Sequence, residues 1–133
     1  MESKLNVVIS GEKKVDFLPY ATSFLGFILQ MISDINFKIS LTTIKMITKL
    51  LQMNCVNIKK HQMQLATALI EKLSDSKVVI RQAVLKCSAL MLVQTQSTWF
   101  ASQTLKYLQH ANWHVREGAL FLLAHCFIEQ QNE

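Results

Sequence analysis

The sequence is poor in the residues that end helices and form turns. Its 133 residues include three glycines and one proline, and these two types break helices or build tight turns. An all-β domain of this length needs many more turn residues. Half of the residues are hydrophobic and only 17% are charged, which excludes a disordered tail. The composition therefore predicts a single helical domain with enough chain to bury a core.

Acidic residues are also outnumbered, and this bears on the kind of partner. The chain has 14 Lys and Arg against 9 Asp and Glu, a net charge of +5. Such a surplus favours acidic partners of any class. The basic residues are scattered along the chain, whereas nucleic-acid binding calls for a clustered patch or stripe. Nucleic acid is therefore not the expected partner.

Cysteine is sparse as well. Cys55, Cys87 and Cys126 are odd in number and widely spaced, which favours free, buried thiols over a disulfide framework. The first sixteen residues do not read as a secretory signal, because charged residues interrupt them. The sequence thus predicts a cytoplasmic protein.

One stretch lacks charge altogether. Phe17–Ser33 has no charged residue over 17 positions, a length at the lower edge of a membrane span. Pro19, Thr22, Ser23 and Gln30 interrupt its apolar character, and we expect a buried helix rather than a membrane span.

Motifs of catalytic and metal sites are missing too. The sequence has no CxxC or HExxH spacing, no Gly-rich phosphate loop and no GxSxG. His110 and His114 lie four apart and His125 adjoins Cys126, but four converging ligands cannot be identified. We expect no metal, no cofactor and no enzymatic activity, although one sequence does not exclude a dispersed site.

What the sequence does contain is helical periodicity. After a weakly structured leader over residues 1–16, apolar residues recur at helical spacing in six segments. The predicted helices are Leu18–Ile32, Phe37–Met53, His61–Leu73, Lys77–Gln94, Trp99–Gln109 and Trp113–Ile128. They form three pairs, over residues 17–53, 59–94 and 98–130. The loops inside the pairs are Ser33–Asn36, Leu73–Lys77 and Gln109–Trp113.

The three pairs are internal repeats. Aligning their second helices places Asn36, Lys77 and Asn112 at one position, with spacings of 41 and 35 residues. That range is typical of helical-pair solenoids, whose units bury their faces only against their neighbours. The predicted fold is an all-α solenoid of three helical hairpins. Ser74-Asp75-Ser76 is expected to cap the fourth helix and Asn112 the sixth. In the fifth helix, Leu105 and Leu108 are the candidates for the inner face.

Short phrases in these repeats resemble a known family. Val79-Ile80-Arg81 and Val115-Arg116, early in the second helix of a pair, resemble HEAT repeats. Three longer phrases are similar to TOG-type HEAT domains. They are Ser33–Lys38 (SDINFK), Asp75–Ala83 (DSKVVIRQA) and Asn112–Glu117 (NWHVRE). They look most similar to the crescerin family, TOG-array regulators of axonemal microtubules, with the CLIP-associated protein family second.

The resemblance covers roughly Phe17 to Ile128 and implies about half of a TOG domain. It implies binding of tubulin or microtubules through the loops inside each pair, and regulation of ciliary or other microtubules. The implied location is the cytoplasm and cytoskeleton, including the cilium or axoneme. Another HEAT or TOG segment is a further implied partner.

The candidate contact residues lie at these loops: Asn36, Phe37, Lys38, Lys77, Asn112, Trp113 and His114. Trp113 could instead pack on the preceding pair as a hydrophobic staple. Lys77 could instead be a solvated lysine without a contact role. Phe37, the counterpart of Trp113, fits core packing better.

Arg81 and Arg116 recur at matched positions inside the stack. We expect them to be structural braces that bridge to loop carboxylates such as Asp34 or Asp75, because buried charges need partners.

An alternative function uses the end of the stack. The sixth helix is predicted to leave Phe121, Leu122, Phe127 and Ile128 partly uncovered, and exposed apolar patches often mark interfaces. The chain would then be a generic HEAT scaffold or adaptor that binds another protein through this terminal face.

Overall fold

The computed structural model describes Tyr20, residues 23–54 and residues 57–132. Helix α1 covers residues 23–28 and continues as a 3₁₀ turn, Leu29–Ser33. The further helices are α2 (Phe37–Gln52), α3 (Gln62–Lys72), α4 (Val78–Gln94), α5 (Ser97–Leu105) and α6 (Trp113–Asn132). The 3₁₀ turn Lys59–His61 precedes α3, and the 3₁₀ turn Lys106–Gln109 follows α5. These residues contain no β-strand, and the predicted all-α class with six helices is confirmed. The predicted leader, residues 1–16, lies outside the described residues, as does Cys55.

The helices pack as three hairpins in two layers. The second helices form one layer, in which α2 packs on α4 and α4 on α6. The first helices form the other, in which the 3₁₀ turn Leu29–Ser33 packs on α3, and α3 on α5. Each hairpin thus covers its neighbour, which is the arrangement of a solenoid.

The core runs between the two layers. The large side chains that are fully buried there come from all three hairpins and include Leu25, Ile44, Leu69, Ile80 and Phe100. The apolar segment that follows Phe17 contributes to it, because Leu25, Ile28, Leu29 and Ile32 are buried. In residues 23–33, the described part of that segment apart from Tyr20, the expected helix is present and buries one face, whereas Phe27 is exposed.

The fifth helix turns a different face inward from the one predicted. Ser97, Phe100 and Thr104 are buried, whereas Leu105 is exposed. Successive residues advance by about 100° around a helix, so Leu105 cannot share the inward stripe that Phe100 and Thr104 define. The inward placement of Leu105 was therefore wrong, and Leu108 is half-buried in the 3₁₀ turn that follows α5.

Helix α6 lies very close to the end of α3. A Cβ placed on Gly118 would be 2.5 Å from Cδ1 of Leu73, which is itself buried. A glycine at this position therefore permits the second and third hairpins to approach each other.

Candidate functional site

The three loops inside the hairpins share one hydrogen-bond arrangement. In each, a side chain accepts the backbone N–H of the residue two positions later. The pairs are Asp34 Oδ1 with Asn36 N at 2.8 Å, Asp75 Oδ1 with Lys77 N at 2.8 Å, and His110 Nδ1 with Asn112 N at 3.0 Å. Such local bonds fix the turn that leads into a helix. The loops therefore present equivalent positions in equivalent ways.

Two of the three second helices have a side-chain cap. Asn36 Oδ1 accepts the N–H of Lys38 at 2.9 Å, and Asn112 Oδ1 accepts the N–H of His114 at 2.8 Å. The cap predicted for Asn112 is confirmed. It satisfies a backbone donor that the first turn of a helix leaves without a partner.

Helix α4 begins without such a cap, contrary to prediction. Its N-cap residue is Lys77, which has no side-chain cap hydrogen bond. The Asp75 carboxylate instead accepts the N–H of Lys77 itself. The prediction for Ser74-Asp75-Ser76 was wrong because the helix starts at Val78, so Asp75 lies too early to reach the first-turn donors.

The two predicted arginine braces bind backbone carbonyls. Arg81 Nη1 donates to the Asp75 carbonyl at 2.8 Å. Arg116 Nη1 donates to the His110 carbonyl at 2.6 Å and to the Ala111 carbonyl at 3.0 Å. Both half-buried guanidinium groups therefore tie the helix to the loop that precedes it.

The carboxylate partners expected for Arg81 and Arg116 were wrong, because both guanidinium groups donate to carbonyls. The Asp75 carboxylate is occupied by the Lys77 N–H and by Lys72, whose ammonium lies 3.2 Å away. Burial alone would raise the pKa of Asp75, but the Lys77 N–H bond and the bond and charge of Lys72 outweigh it. The pKa falls below its usual 3.8.

Sequence reasoning missed the equivalent brace of the first hairpin. Ser40 stands where Arg81 and Arg116 stand in the later repeats, four residues after the aligned loop position. Its hydroxyl donates to the Ile32 carbonyl at 2.5 Å and is buried. The same alignment would have found both Ser40 and the loop acceptors Asp34, Asp75 and His110.

The first and second loops meet through two of the candidate contact residues. Lys77 Nζ lies 4.9 Å from the centroid of the Phe37 ring, a cation–π distance. Phe37 is 39% exposed, so it does not lie in the core as its sequence context favoured. Its ring instead forms a platform at the surface beneath the Lys77 ammonium.

The second and third loops are joined as well. Asn112 Nδ2 donates to the Ser74 carbonyl at 3.5 Å. His110 Nε2 lies 4.0 Å from a carboxylate oxygen of Glu71, near the end of α3. All three loops therefore form one continuous surface, here termed the loop edge, which comprises residues 33–38, 73–78 and 109–114.

Trp113 stands at the third loop. Its indole is 56% exposed and lies 3.8 Å, centroid to centroid, from the His114 ring at an interplanar angle of 31°. More than half of the indole is open to solvent, so packing on the preceding hairpin does not bury it. The structure thus brings all seven candidate contact residues to the loop edge, and Lys38 is exposed there beside Asn36.

The opposite edge of the stack carries a different feature. A cleft of about 870 Å³ lies there, and carboxamides form about half of its lining. The lining residues are Asn54, Asn57, Gln62, Gln94 and Gln96, together with Ile58, Lys59, Thr95 and Trp99. Gln94 Nε2 already donates to the Leu51 carbonyl at 2.6 Å. The carboxamides make this cleft a hydrogen-bonding surface.

The described part of the chain contains neither a group of metal-binding side chains nor a membrane-spanning helix. Across residues 23–54 and 57–132, no three His, Cys, Asp or Glu side chains are grouped so as to hold a metal ion. None of the helices described is both long enough and apolar enough to cross a bilayer.

Comparison of the chain with protein-family models, with curated proteins and with solved structures gives no match.

Proposed function

We propose that this chain binds tubulin or microtubules through the loop edge. The observation that carries the proposal is that three loops with the same hydrogen-bond arrangement form one continuous surface. On that surface Lys77 lies over the Phe37 ring and Trp113 is exposed. The TOG-like phrases of the sequence are the same segments that form this surface. That coincidence supports tubulin as the partner, and the cytoskeleton or cilium as the setting.

The chemistry of the loop edge suits an acidic protein surface. Aromatic and basic side chains dominate the energetics of many interfaces, with Trp foremost. Lys77 already rests on the Phe37 ring, so it has less side-chain freedom to lose on binding than a fully solvated lysine. Because Lys72 offsets the charge of Asp75, the exposed ammonium groups of Lys38 and Lys77 are available to an anionic partner.

A direct test is sedimentation of the chain with microtubules, together with a mobility shift of unpolymerised tubulin. We expect binding in at least one assay, and we expect it to weaken as salt rises, because exposed charge contacts are screened. Absence of binding in both assays at low ionic strength contradicts the proposal for this chain.

A second candidate function, that of a scaffold or adaptor, is supported by the outward face of α6. Phe121, Phe127 and Ile128 are exposed there as predicted, and so is Leu120. The prediction for Leu122 was wrong, because its side chain points into the core and is fully buried. Large exposed apolar patches commonly mark interfaces. A pull-down that compares the wild type with Phe127→Glu tests it. A partner of the scaffold is expected to be retained by the wild type and lost from the variant; equal retention by both contradicts this function.

A further inference from the structure

The outward face of α6 has a regular shape. Leu120 and Phe121 are followed one turn later by Ala124, and then by Phe127 and Ile128. The four large side chains are between 45% and 61% exposed, and Ala124 is exposed too. Spacings of three and four residues place all five on one side of the helix. The face is therefore an apolar stripe with a shallow point at its centre.

Part of the corresponding face is buried in the first hairpin. In the repeat alignment, Leu120 and Phe127 correspond to Ile44 and Leu51 of α2, which are buried. Ala124 corresponds to Thr48, which is buried and whose hydroxyl donates to the Ile44 carbonyl at 2.9 Å. Three positions that are buried in α2, which packs on α4, are thus exposed in α6. The counterparts of Phe121 and Ile128 in α2 are Lys45 and Gln52, which are exposed and polar, so the apolar stripe is wider in α6.

The pattern around Ala124 is self-complementary. If two copies of α6 pack antiparallel across a two-fold axis at Ala124, Leu120 and Phe121 of one copy lie beside Phe127 and Ile128 of the other. A small residue at the crossing point permits the close helix approach that interdigitated side chains need. A closed dimer requires one patch that fits itself in this way.

The area and the charge of this face suit a second copy of the chain. The exposed parts of the four large side chains amount to roughly 400 Å² per copy, given that a fully buried aromatic covers about 150–250 Å². With the flanking residues, two copies reach about 1,000 Å², the lower limit for a specific interface. No Lys or Arg lies between Gly118 and Ile128, so the surplus positive charge of the chain does not repel a second copy there.

We propose that the α6 face is a self-association surface on which a second copy of this chain packs its own α6, antiparallel, with Ala124 at the two-fold axis. The proposal shares its surface with the scaffold function and rests on that face being an interface, but the two fail separately. The scaffold function fails when Phe127→Glu retains the same bound proteins as the wild type. Self-association fails when the purified wild type stays monomeric.

Sedimentation equilibrium over a range of micromolar concentrations tests the proposal. The wild type is expected to shift from monomer to dimer mass. Phe127→Glu is expected to weaken the dimer by more than about tenfold, because each copy then places an unpaired carboxylate in the interface. Phe27→Glu is the matched control, since Phe27 is an exposed aromatic of α1 at the other end of the stack. It should leave the dimer unchanged.

Disulfide cross-linking tests whether the two-fold axis of the proposed dimer lies at Ala124. Ala124→Cys, made in a Cys55→Ser chain and oxidised with oxidised glutathione, is expected to give a disulfide-linked dimer, because the two Cβ atoms at the axis would lie close together. Gln82→Cys, on the exposed side of α4, should not. Cys87 and Cys126 do not interfere, because both are buried. A wild type that is monomeric throughout, or a dimer broken by Phe27→Glu and not by Phe127→Glu, overturns the proposal.

Discussion

Lys77 Nζ lies 4.9 Å from the centroid of the Phe37 ring, so the second loop rests on the start of the first hairpin's second helix. A lysine over an exposed aromatic face is stabilised by about 0.5–1 kcal/mol. The contact spans the junction between two repeats and fixes where the ammonium points. The proposed binding surface is therefore partly organised before any partner arrives.

Gly118 tests the close packing of the second and third hairpins. Gly118→Ala is expected to lower the free energy of unfolding by about 1–3 kcal/mol, because the new Cβ would meet Leu73 at 2.5 Å. The better helix propensity of alanine, worth about 1 kcal/mol, acts in the opposite direction. Urea denaturation measures the difference.

The control removes the obstacle. In a Leu73→Ala background the space beside residue 118 is open, so Gly118→Ala should then be neutral or stabilising. A stabilising effect of Gly118→Ala in the otherwise wild-type chain would contradict the packing described here.

Arg116 is expected to hold the third loop to its helix. Arg116→Met removes both hydrogen bonds to the His110 and Ala111 carbonyls and should destabilise the fold by about 1.5–3 kcal/mol, the range for bonds to charged groups. Lys86→Met, at an exposed position of α4, is the surface control and should change stability by less than about 0.5 kcal/mol. Thermal denaturation measures the loss of stability in the two variants. Equal losses would contradict the role of Arg116 as a brace.

Asp75 should make stability depend on pH in the acid range. Its pKa is lower in the folded chain than its usual 3.8, so ionisation favours folding. The stabilisation is fully present above about pH 4 and is lost as pH falls through the folded-state pKa. Asp75→Asn should flatten this part of the stability–pH curve measured by urea denaturation. An unchanged curve would show that the ionisation of Asp75 does not contribute to stability.

The two described cysteines are expected to be unreactive. Burial raises the pKa of Cys87 to about 12 and that of Cys126 to about 11, and the thiolate is the reactive form. In a Cys55→Ser chain at pH 8, both thiols should react with a disulfide reagent at least about tenfold more slowly in the native state than in urea. Rapid native-state reaction of either thiol would refute their burial.

The sequence was sufficient to predict the helices and their pairing. Leu65, Leu69 and Leu73 recur at helical spacing and are buried as expected, because an amphipathic stripe reports directly on the inward face. The aligned Asn36, Lys77 and Asn112 likewise predicted where the second helices begin.

Contacts between distant segments could not be predicted in the same way. Nothing in a local pattern places Phe37 under Lys77, 40 residues along the chain, since that contact depends on how two hairpins stack. The same holds for Arg81, whose acceptor became a carbonyl because Lys72 and the Lys77 N–H already engage the Asp75 carboxylate.

The central claim is that the loop edge binds tubulin, and a comparison of variants in microtubule sedimentation tests it most directly. Lys77→Glu and Trp113→Ala should each weaken binding by about tenfold or more, as loss of an interface anchor does. Lys86→Glu and Phe27→Ala, which make the matching changes at exposed positions away from the loops, should leave it unchanged. Equal binding by the wild type and all four variants would contradict the assignment of the loop edge as the binding surface.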